Sequence, residues 1–435
     1  MDGSGLNGLP LGVRGLAVLR GVLESPTVRD LLALLELLAS GRPDPTAVAG
    51  TFGQLWEELA VEGGDLLPDA WQSCLVGRLL DDENPFSLGA ENGRIAPAIM
   101  EQTRRDLRTL QRLFELDARV LLGLVEAAVP ELEGAWALWQ YPELNPSRHR
   151  EPRRALARKL AVAGDWADLA ETLAEHYAVH GAGLFGCYRA FRWDRRLRAV
   201  PCPDQVHLEG LVGYEREREP LIKNTKRLLT GLPSHHVLLY GLPGTGKSST
   251  VKALLNEYAD RGLRLVELAK EDLKELPAVF GSLRGRAPRF ILFIDDLSFE
   301  EQEVEYKALK ALLEGSVEEP PENVRLYATS NRRNLIRERF SDRAEGGADD
   351  VHARDTMQEK FSLAARFGLR ITFPSPDRER YFEIVAGLVR ERGIEISEGE
   401  LRERALRWDR WHGGRSGRTA RQLVDELEAE LSGVR

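Results

Sequence analysis

The sequence predicts an α/β fold: a parallel five-stranded sheet flanked by helices, between a mostly α-helical N-terminal domain and a helical C-terminal region. First, short apolar, β-rich runs recur in the second half of the chain. Second, helical stretches separate the early runs, and strands that alternate with helices form parallel sheets covered on both faces. The runs span residues 235–240, 263–269, 289–295, 323–330 and 369–373.

Amphipathic helices dominate the chain before residue 205. The stretches TVRDLLALLELLAS and EQTRRDLRTLQRLFELDARVLLGLVEAA repeat apolar residues at helical spacing, with charges between them. Prolines mark the change to the sheet pattern near residue 203 and the change back to helix at Pro374 and Pro376. The predicted domains are a helical N-terminal domain over 1–204, an αβα core over 205–374 and a helical lid over 375–435.

The stretch CYRAFRWDRRLRAV, at 187–200, interleaves aromatic residues with arginines. One interpretation is a surface that stacks on nucleic-acid bases and neutralises phosphates. The other is a half-buried linking strand whose arginines lie in solvent, which is the more common use of such a composition.

The composition is that of a soluble globular protein, because 43% of the 435 residues are hydrophobic and 30% are charged. The formal net charge is −9, whereas a constitutive nucleic-acid binder usually has an excess of basic residues. The total charge does not show whether one face of the protein is locally basic. The three cysteines have no metal-binding or disulfide spacing, and the chain has neither a basic signal-peptide start nor a long apolar run. We therefore expect a cytoplasmic protein with no membrane span.

A glycine-rich loop follows the first strand of the predicted sheet. Residues 241–250 read GLPGTGKSST, in which a glycine and four further residues precede Gly-Lys-Ser. The glycines let backbone N–H groups point at phosphate oxygens, and the following helix adds its positive N-terminal end. Lys247 is expected to reach the β- and γ-phosphates and the Ser248 hydroxyl to bind Mg²⁺. The predicted nucleotide-binding residues are Gly241, Pro243, Gly244, Thr245, Gly246, Lys247, Ser248 and Ser249.

Two further strands end on polar residues. In FILFIDDLSFEE, Asp295 is expected to hold the Mg²⁺ shell and Asp296 to activate the attacking water, the alternative being a pair of helix-capping aspartates. In NVRLYATSN, Asn331 comes directly after the strand. Ligands bind at the carboxyl ends of parallel strands, so Asn331 is expected to contact the γ-phosphate and position the lytic water. The side chains of Arg332 and Arg333 could contact phosphate, a neighbouring subunit, or only water.

With these motifs, residues 205 to 435 resemble the AAA+ ATPases. LVGYERE, at 211–217, resembles the segment that helps to form their adenine pocket, which implies that Val212 and Gly213 lie near the base. The strand ending in TSN resembles the sensor-1 strand, with Asn331 as the sensor. FSLAARFGLRITF resembles the arginine-finger region, with Arg366 as the finger. GRSGRTARQLVDEL resembles the sensor-2 helix of the lid, with Arg418 at its start.

An arginine finger acts on the nucleotide of the next subunit, where it neutralises charge that builds up in the transition state. The resemblance therefore implies a homo-oligomeric ring or filament, commonly a hexamer. The runs GTGKSS, DDLSFE, YATSNRRNLI, RFGL and RSGR are similar to those of an uncharacterised bacterial AAA+ group, domain-of-unknown-function family 815. That similarity implies a fold and a nucleotide but no substrate.

The sequence departs from the AAA+ pattern at one catalytic position, since most AAA+ proteins carry Glu where Asp296 stands. The shorter side chain needs the water closer, which is compatible with slow hydrolysis. The assignment of Arg366 rests on a short match and competes with a surface salt-bridge role. Its rivals as the finger are Arg332, Arg333, Arg337 and Arg370, and those of Arg418 are Arg415 and Arg421.

The loop SDRAEGGADDVHARD, at 341–355, is acidic and contains glycines. It is interpreted either as an insertion near the nucleotide or as a plain surface loop. Asp350, His352 and Asp355 are potential metal ligands, but no second cluster of such residues supports a metal site there.

Two functional hypotheses follow. In the first, an ATP hydrolase uses ATP and Mg²⁺ to remodel a protein or protein–nucleic-acid complex that the N-terminal domain selects. In the second, ATP assembles a loader-like binding switch on a partner, and slow hydrolysis only resets it. A small-molecule kinase is a weaker third interpretation, since it explains neither Asn331, Arg418 nor the helical N-terminal domain.

Overall fold

The computed structural model describes residues 8–40, 43–62, 65–139, 151–299, 305–306, 309–310, 313, 320–331, 363–412 and 414–431. Contacts group the chain into two compact units. The first comprises Met1–Cys187 with Arg286–Pro288, and the second comprises Tyr188–Gly285 with Arg289–Arg435.

The first unit is helical, as the amphipathic pattern predicts. Its helices are α1 (Leu9–Arg14), α2 (Pro26–Ala39), α3 (Pro45–Glu62), α4 (Ala70–Asp81), α5 (Pro85–Glu91), α6 (Pro97–Phe114), α7 (Ala118–Ala128), α8 (Glu151–Val162), α9 (Ala170–His180) and α10 (Gly183–Cys187). Short 3₁₀ turns cover Arg20–Glu24, Pro130–Leu132 and Trp166–Leu169. Helix α6 shows how the sequence specifies this packing, because its leucines at 107, 110 and 113 recur at helical spacing and are all buried.

A buried carboxylate on α6 holds the segment that follows α1. Asp106 Oδ2 accepts hydrogen bonds from the backbone N–H groups of Ala17, Val18 and Leu19, at 3.1, 2.8 and 3.0 Å. Its other carboxylate oxygen accepts from Gln102 Nε2 at 2.8 Å. Four donors on one side chain offset the cost of burying a carboxylate. They also make the path of the chain over residues 17–19 depend on this single residue.

The second unit is built around a mixed sheet. Its strands are β1 (Ala190–Trp193), β2 (Leu197–Ala199), β3 (Val237–Gly241), β4 (Leu263–Glu267), β5 (Arg289–Ile294), β6 (Val324–Ser330) and β7 (Leu369–Phe373). The helices α11 (Glu215–Leu229), α12 (Lys247–Tyr258) and α13 (Leu276–Leu283) accompany the sheet, with 3₁₀ turns at Ala259–Arg261 and Lys270–Glu275. Over the described residues, the strand order is β2-β1-β4-β5-β6-β3-β7.

The parallel five-stranded sheet predicted from the sequence is confirmed as β4-β5-β6-β3-β7, in which every neighbouring pair is parallel. Its strands are near-continuous apolar runs, as expected when helices cover both faces. Two further strands extend the sheet beyond β4. Strand β1 pairs parallel to β4, and β2 pairs antiparallel to β1.

These two added strands come from the stretch 187–200, so the structure agrees with its interpretation as a half-buried strand. Phe191 and Trp193 are buried, whereas Arg192 between them is exposed and pairs with Glu267 at 2.9 Å. Contacts group the chain from Tyr188 onward with the sheet, and the domain boundary at residue 204 stays a prediction. The grouping arises because β1 forms its ladder with β4, so the backbone from residue 190 onward belongs to the sheet.

Three helices follow the sheet, as expected for the lid: α14 (Arg378–Glu391), α15 (Glu398–His412) and α16 (Gly417–Leu431). Ile384, Ala405 and Val424, one from each helix, belong to the same apolar cluster as Val237 and Ile291 of the sheet. The lid therefore shares a hydrophobic core with the sheet. Within the part of the chain that the structure describes, no helix is long and apolar enough to cross a membrane.

The contacts of Asp106 lead to the first prediction. Asp106→Asn keeps the shape of the side chain but removes its charge, so the segment 17–19 should lose about 1–3 kcal/mol of local stability. Hydrogen exchange at amides 17–19 should accelerate by about tenfold or more. Glu115→Gln, at the exposed end of α6, is the matched control and should leave that exchange unchanged. Equal exchange in the Asp106 variant and the wild type would contradict the prediction.

Candidate functional site

The register of three strands assembles the site. Ile294 of β5 pairs with Ala328 of β6, and Tyr240 of β3 pairs with Ser330 of β6. The next residue of β5 is Asp295 and the next residue of β6 is Asn331. Because the strands are parallel, these polar residues and the loop after β3 leave the sheet at the same edge.

The loop after β3 owes its path to glycines in unusual conformations. Gly241, Gly244 and Gly246 have φ angles of 153°, 76° and 87°. A Cβ atom at Gly241 would lie 2.0 Å from the carbonyl oxygen of Phe373 on β7, so only glycine fits at this position. The last of the three glycines immediately precedes α12, which begins at Lys247 and directs its N-terminal N–H groups towards the loop.

Lys247, the first residue of α12, is 6% exposed. Its Nζ donates to the carbonyl oxygens of Gly241 and Leu242, both at 2.9 Å, and to Asn331 Oδ1 at 3.2 Å. Burial lowers the pKa of the Lys247 ammonium, and the charges of Asp295 and Asp296 partly oppose that shift. The side chain is thus aimed into the loop and linked to the end of β6.

The first aspartate is held by two hydroxyl groups. Ser248 Oγ donates to Asp295 Oδ1 at 2.6 Å, and Thr329 Oγ1 donates to the same oxygen at 2.5 Å. Hydroxyl and carboxylate oxygens are the ligands that Mg²⁺ prefers. Ser248 and Asp295 are already in contact and both line the cavity. Their hydroxyl and carboxylate oxygens therefore fit the Mg²⁺ ion predicted for these residues.

The second aspartate has a left-handed backbone. Asp296 has φ 54°, a region that Asp, Asn and Gly enter more readily than other residues. Its N–H donates to Thr329 Oγ1 at 2.9 Å, and its carboxylate accepts from Asn331 Nδ2 at 2.6 Å. Asn331 therefore bridges Lys247 and Asp296 through the two ends of one amide.

These groups face a cavity of about 590 Å³, a volume typical of a small-molecule site. Its polar wall contains the predicted residues Pro243, Gly244, Thr245, Gly246, Lys247, Ser248, Ser249, Asp295, Asp296 and Asn331. Its apolar wall contains the predicted Val212 together with Tyr214, Phe373, Ile384 and Leu388. The predicted Gly241 contributes through its carbonyl to Lys247. Gly213 does not line this cavity and instead forms a turn with φ 76°.

The lid contributes to the same cavity. Arg418, predicted as the lid arginine, lines it, and so does its rival Arg421. The other rival, Arg415, pairs with Asp409 at 3.3 Å. Arg380 does not line the cavity, but its guanidinium lies 4.7 Å from the centre of the ring of Tyr214, which does.

Tyr214 ties the lid to the core beside the apolar wall. Burial raises the pKa of its phenol to about 12, while Arg380 lowers it, so the hydroxyl remains a donor. That hydroxyl donates to the carbonyl oxygen of Pro374 at 2.7 Å, directly before the lid. Arg380 also pairs with Glu217 at 3.2 Å.

Arg366 does not line the cavity of its own chain. Its side chain is exposed, and it precedes β7, whereas the loop and the aspartates follow the carboxyl ends of their strands. Its rival Arg370 is exposed on β7. The remaining candidates, Arg332, Arg333, Arg337 and the loop 341–355 with Asp350, His352 and Asp355, lie outside the described residues.

Thr329 is one of the site residues that the sequence did not predict. It is 1% exposed, and its hydroxyl contacts both aspartates, to one as donor and to the other as acceptor. A polar residue before the end of an apolar strand is its signal in the sequence. The lid residues Ile384 and Leu388 gave no such signal, because their helical pattern alone does not say which cavity they line.

The fold and the site together define a P-loop protein of the AAA+ type. The chain belongs to the family described as "Protein of unknown function (DUF815)", whose model matches residues 187–431. That match covers more than half of the chain and includes β1, the phosphate loop and the lid. The membership predicted from the motifs is thereby confirmed.

Individual relatives match shorter parts of the chain. It is 33% identical over 121 residues to the proteasome-activating nucleotidase of Aeropyrum pernix, an alignment covering 24% of this chain and 29% of that protein. Among solved structures, it aligns with the Thermotoga maritima RuvB Holliday junction branch migration motor at 20% identity and a TM-score of 0.36, over 53% of this chain and 66% of that one. The R170A form of that RuvB aligns at 19% identity and a TM-score of 0.37, over 52% and 66% of the two chains.

The hydroxyl of Thr329 leads to the second prediction. Thr329→Val preserves shape but leaves the Asp296 N–H and Asp295 Oδ1 without their shared partner. The Mg²⁺ concentration that half-saturates ATP binding should rise about tenfold, since hydrogen bonds to charged groups are worth about 1.5–3 kcal/mol. Titration with a fluorescent ATP analogue at varied Mg²⁺ measures it. Thr372→Val on the exposed face of β7 is the control. An unchanged half-saturating Mg²⁺ concentration in the Thr329 variant would show that the Thr329 hydroxyl does not help the two aspartates to bind the metal.

Proposed function

We propose that the protein is an AAA+ ATP hydrolase that uses Mg²⁺ and a site shared between subunits to remodel a protein or a protein–nucleic-acid complex. The observation that carries the proposal is one connected hydrogen-bond network on the wall of one nucleotide-sized cavity. Its members are Lys247, Ser248, Asp295, Asp296, Thr329 and Asn331. The likeness to a relative named as a nucleotidase supports hydrolysis.

Phosphate binding is assigned to the loop and Lys247. The N-terminal N–H groups of α12 and the ammonium of Lys247 supply positive charge where phosphates would lie. Ser248 and Asp295 would hold Mg²⁺, which when bound neutralises charge on the phosphate oxygens. Both residues already share a hydrogen bond of 2.6 Å, so little rearrangement is needed to bring their oxygens to one ion.

Water activation is assigned to Asp296, with Asn331 as the sensor of the γ-phosphate. A general base must lie within hydrogen-bond reach of the water that it deprotonates. The Asn331 amide fixes one oxygen of Asp296 at 2.6 Å and leaves the rest of the carboxylate facing the cavity. Arg418 of the lid, which lines the same cavity, is assigned to the terminal phosphate in its own chain.

Arg366 is assigned to the site of the neighbouring subunit. It is exposed and lies at the amino end of β7, away from the cavity of its own chain. An arginine in that position requires a homo-oligomer to act, and a ring, commonly hexameric, is the arrangement expected of AAA+ proteins. The helical N-terminal unit is assigned to client selection.

The third prediction tests the shared site. ATP hydrolysis in a protein dilution series should rise more steeply than linearly with protein concentration, because each site needs two subunits. Lys247→Ala should abolish ATP binding, and Arg366→Ala should retain binding but lose about 10³-fold in rate. A linear dependence together with a monomer on sizing in ATP would refute the shared site.

Two matched variants make this experiment specific. Lys252→Ala removes a more exposed lysine from the same helix as Lys247, and Arg227→Ala removes an exposed arginine of α11. Both should behave as wild type. If Arg370→Ala loses hydrolysis rate while Arg366→Ala keeps full activity, Arg370 and not Arg366 is the arginine finger.

A loader-like binding switch is the second candidate function. The observation that favours it is Asp296, one methylene shorter than the usual Glu and held by Asn331 at 2.6 Å. In this case ATP-dependent retention of a partner would survive Asp296→Asn and be lost in Lys247→Ala. The ATPase proposal requires instead that the client be processed only when hydrolysis proceeds.

The backbone at Asp296 yields the fourth prediction. Glu tolerates a φ of 54° less well than Asp, so Asp296→Glu should lower the steady-state rate by about fivefold rather than raise it. Asp296→Asn keeps the backbone preference but loses the base, so its rate should fall about 100-fold. ATP affinity in both variants should stay near that of wild type. A faster Asp296→Glu enzyme would show that side-chain length, not backbone geometry, sets the rate.

A further inference from the structure

One backbone hydrogen bond joins the lid directly to the phosphate loop. The N–H of Gly417, the first residue of α16, donates to the carbonyl oxygen of Gly244 at 2.7 Å. Gly244 lies in the middle of the loop, and the residue after Gly417 is Arg418, which lines the cavity. The contact therefore connects the part of the loop expected to surround phosphates with the start of the lid helix.

The two backbones are so close that a Cβ atom on either side would be crowded. A Cβ atom at Gly417 would lie 3.0 Å from the Gly244 carbonyl oxygen. A Cβ atom at Gly244 would lie 3.0 Å from Ser416 Cβ and Oγ, and its φ of 76° already disfavours other residues. Since Gly417 opens a helix, its glycine is explained by this approach and not by helix propensity, which is poor for glycine.

The donor is available because of its position in the helix. The first N–H groups of a helix have no partner within it. Ser416 and Thr419 satisfy each other's N–H groups through reciprocal side-chain bonds of 3.0 and 3.1 Å. These bonds hold the residues on both sides of Gly417 and direct its own N–H to the loop.

We infer that Gly417 and Gly244 are a positioning pair: their hydrogen bond sets the lid against the phosphate loop and so places Arg418 at the terminal phosphate. The inference rests on the proposed nucleotide site. It adds that discrimination between ATP and ADP depends on this backbone contact as well as on the arginine. Displacement of the lid start from the loop should therefore weaken ATP binding more than ADP binding.

Two substitutions at one position test the pair. Gly417→Ala keeps the N–H but adds the Cβ that meets the loop carbonyl. Gly417→Pro removes the N–H at the first helical position, where proline is well accepted. Gly399→Ala, near the start of α15 in open surroundings, is the matched lid control. Circular dichroism and thermal melting establish that all variants are folded.

The first measurement is hydrogen exchange of a peptide covering 241–250 in the nucleotide-free protein. Both Gly417 variants should exchange about fivefold faster or more there, because the loop loses its restraint. The second is the ratio of ATP to ADP affinity by fluorescent-analogue competition, which should fall about tenfold in both variants and stay constant in Gly399→Ala. Unchanged exchange, or an unchanged ratio, would overturn the inference.

The two measurements separate this inference from the proposed function. If wild type and Lys247→Ala both fail to bind nucleotide, the proposed function fails and the nucleotide discrimination assigned to the pair fails with it. If Lys247→Ala alone loses binding while the Gly417 variants match wild type in both measurements, the proposed function stands and the positioning pair is refuted.

Discussion

The register of β3, β5 and β6 is the constraint on which the site depends. Side chains alternate along a strand, so a slip of one residue would turn every buried side chain to the other face. Both faces of β5 and β6 are buried, so a slip would force each side chain into a space packed for a different one. With the register held, Asp295 and Asn331 leave the sheet beside the phosphate loop. Hydrophobic packing thus sets the positions of the polar groups.

Grouping two carboxylates at one sheet edge requires partners for their charge. Ser248 and Thr329 donate to Asp295, and Asn331 donates to Asp296. Lys247 adds a cation that burial alone would disfavour and that the two aspartates favour. The same residues that we assign to phosphate and water are therefore those that make the arrangement stable in the folded protein. A substitution that removes one of them affects its neighbours as well.

The lid is held against the core on two sides of the cavity. On the apolar side, Arg380 lies over Tyr214, whose hydroxyl bonds the carbonyl of Pro374. On the phosphate side, the Gly417 N–H bonds the loop at Gly244. A lid fixed at both ends of a nucleotide-sized cavity can respond to which nucleotide is present. In the proposed function, both contacts lie where a change of bound nucleotide would act on them.

The sequence by itself determined the parallel sheet, the phosphate loop, the two aspartates, Asn331 and family membership, because each depends on local patterns: apolar runs, glycines at fixed spacing, and polar residues at strand ends. It did not reveal β1 and β2 as part of the sheet, since a short strand joins a sheet only through a partner distant in sequence. Nor did it reveal the roles of Thr329 and Gly417. The contacts of Thr329 depend on the register between strands, and those of Gly417 depend on the close approach of two backbone segments. Both are long-range features, so only the tertiary structure decides them.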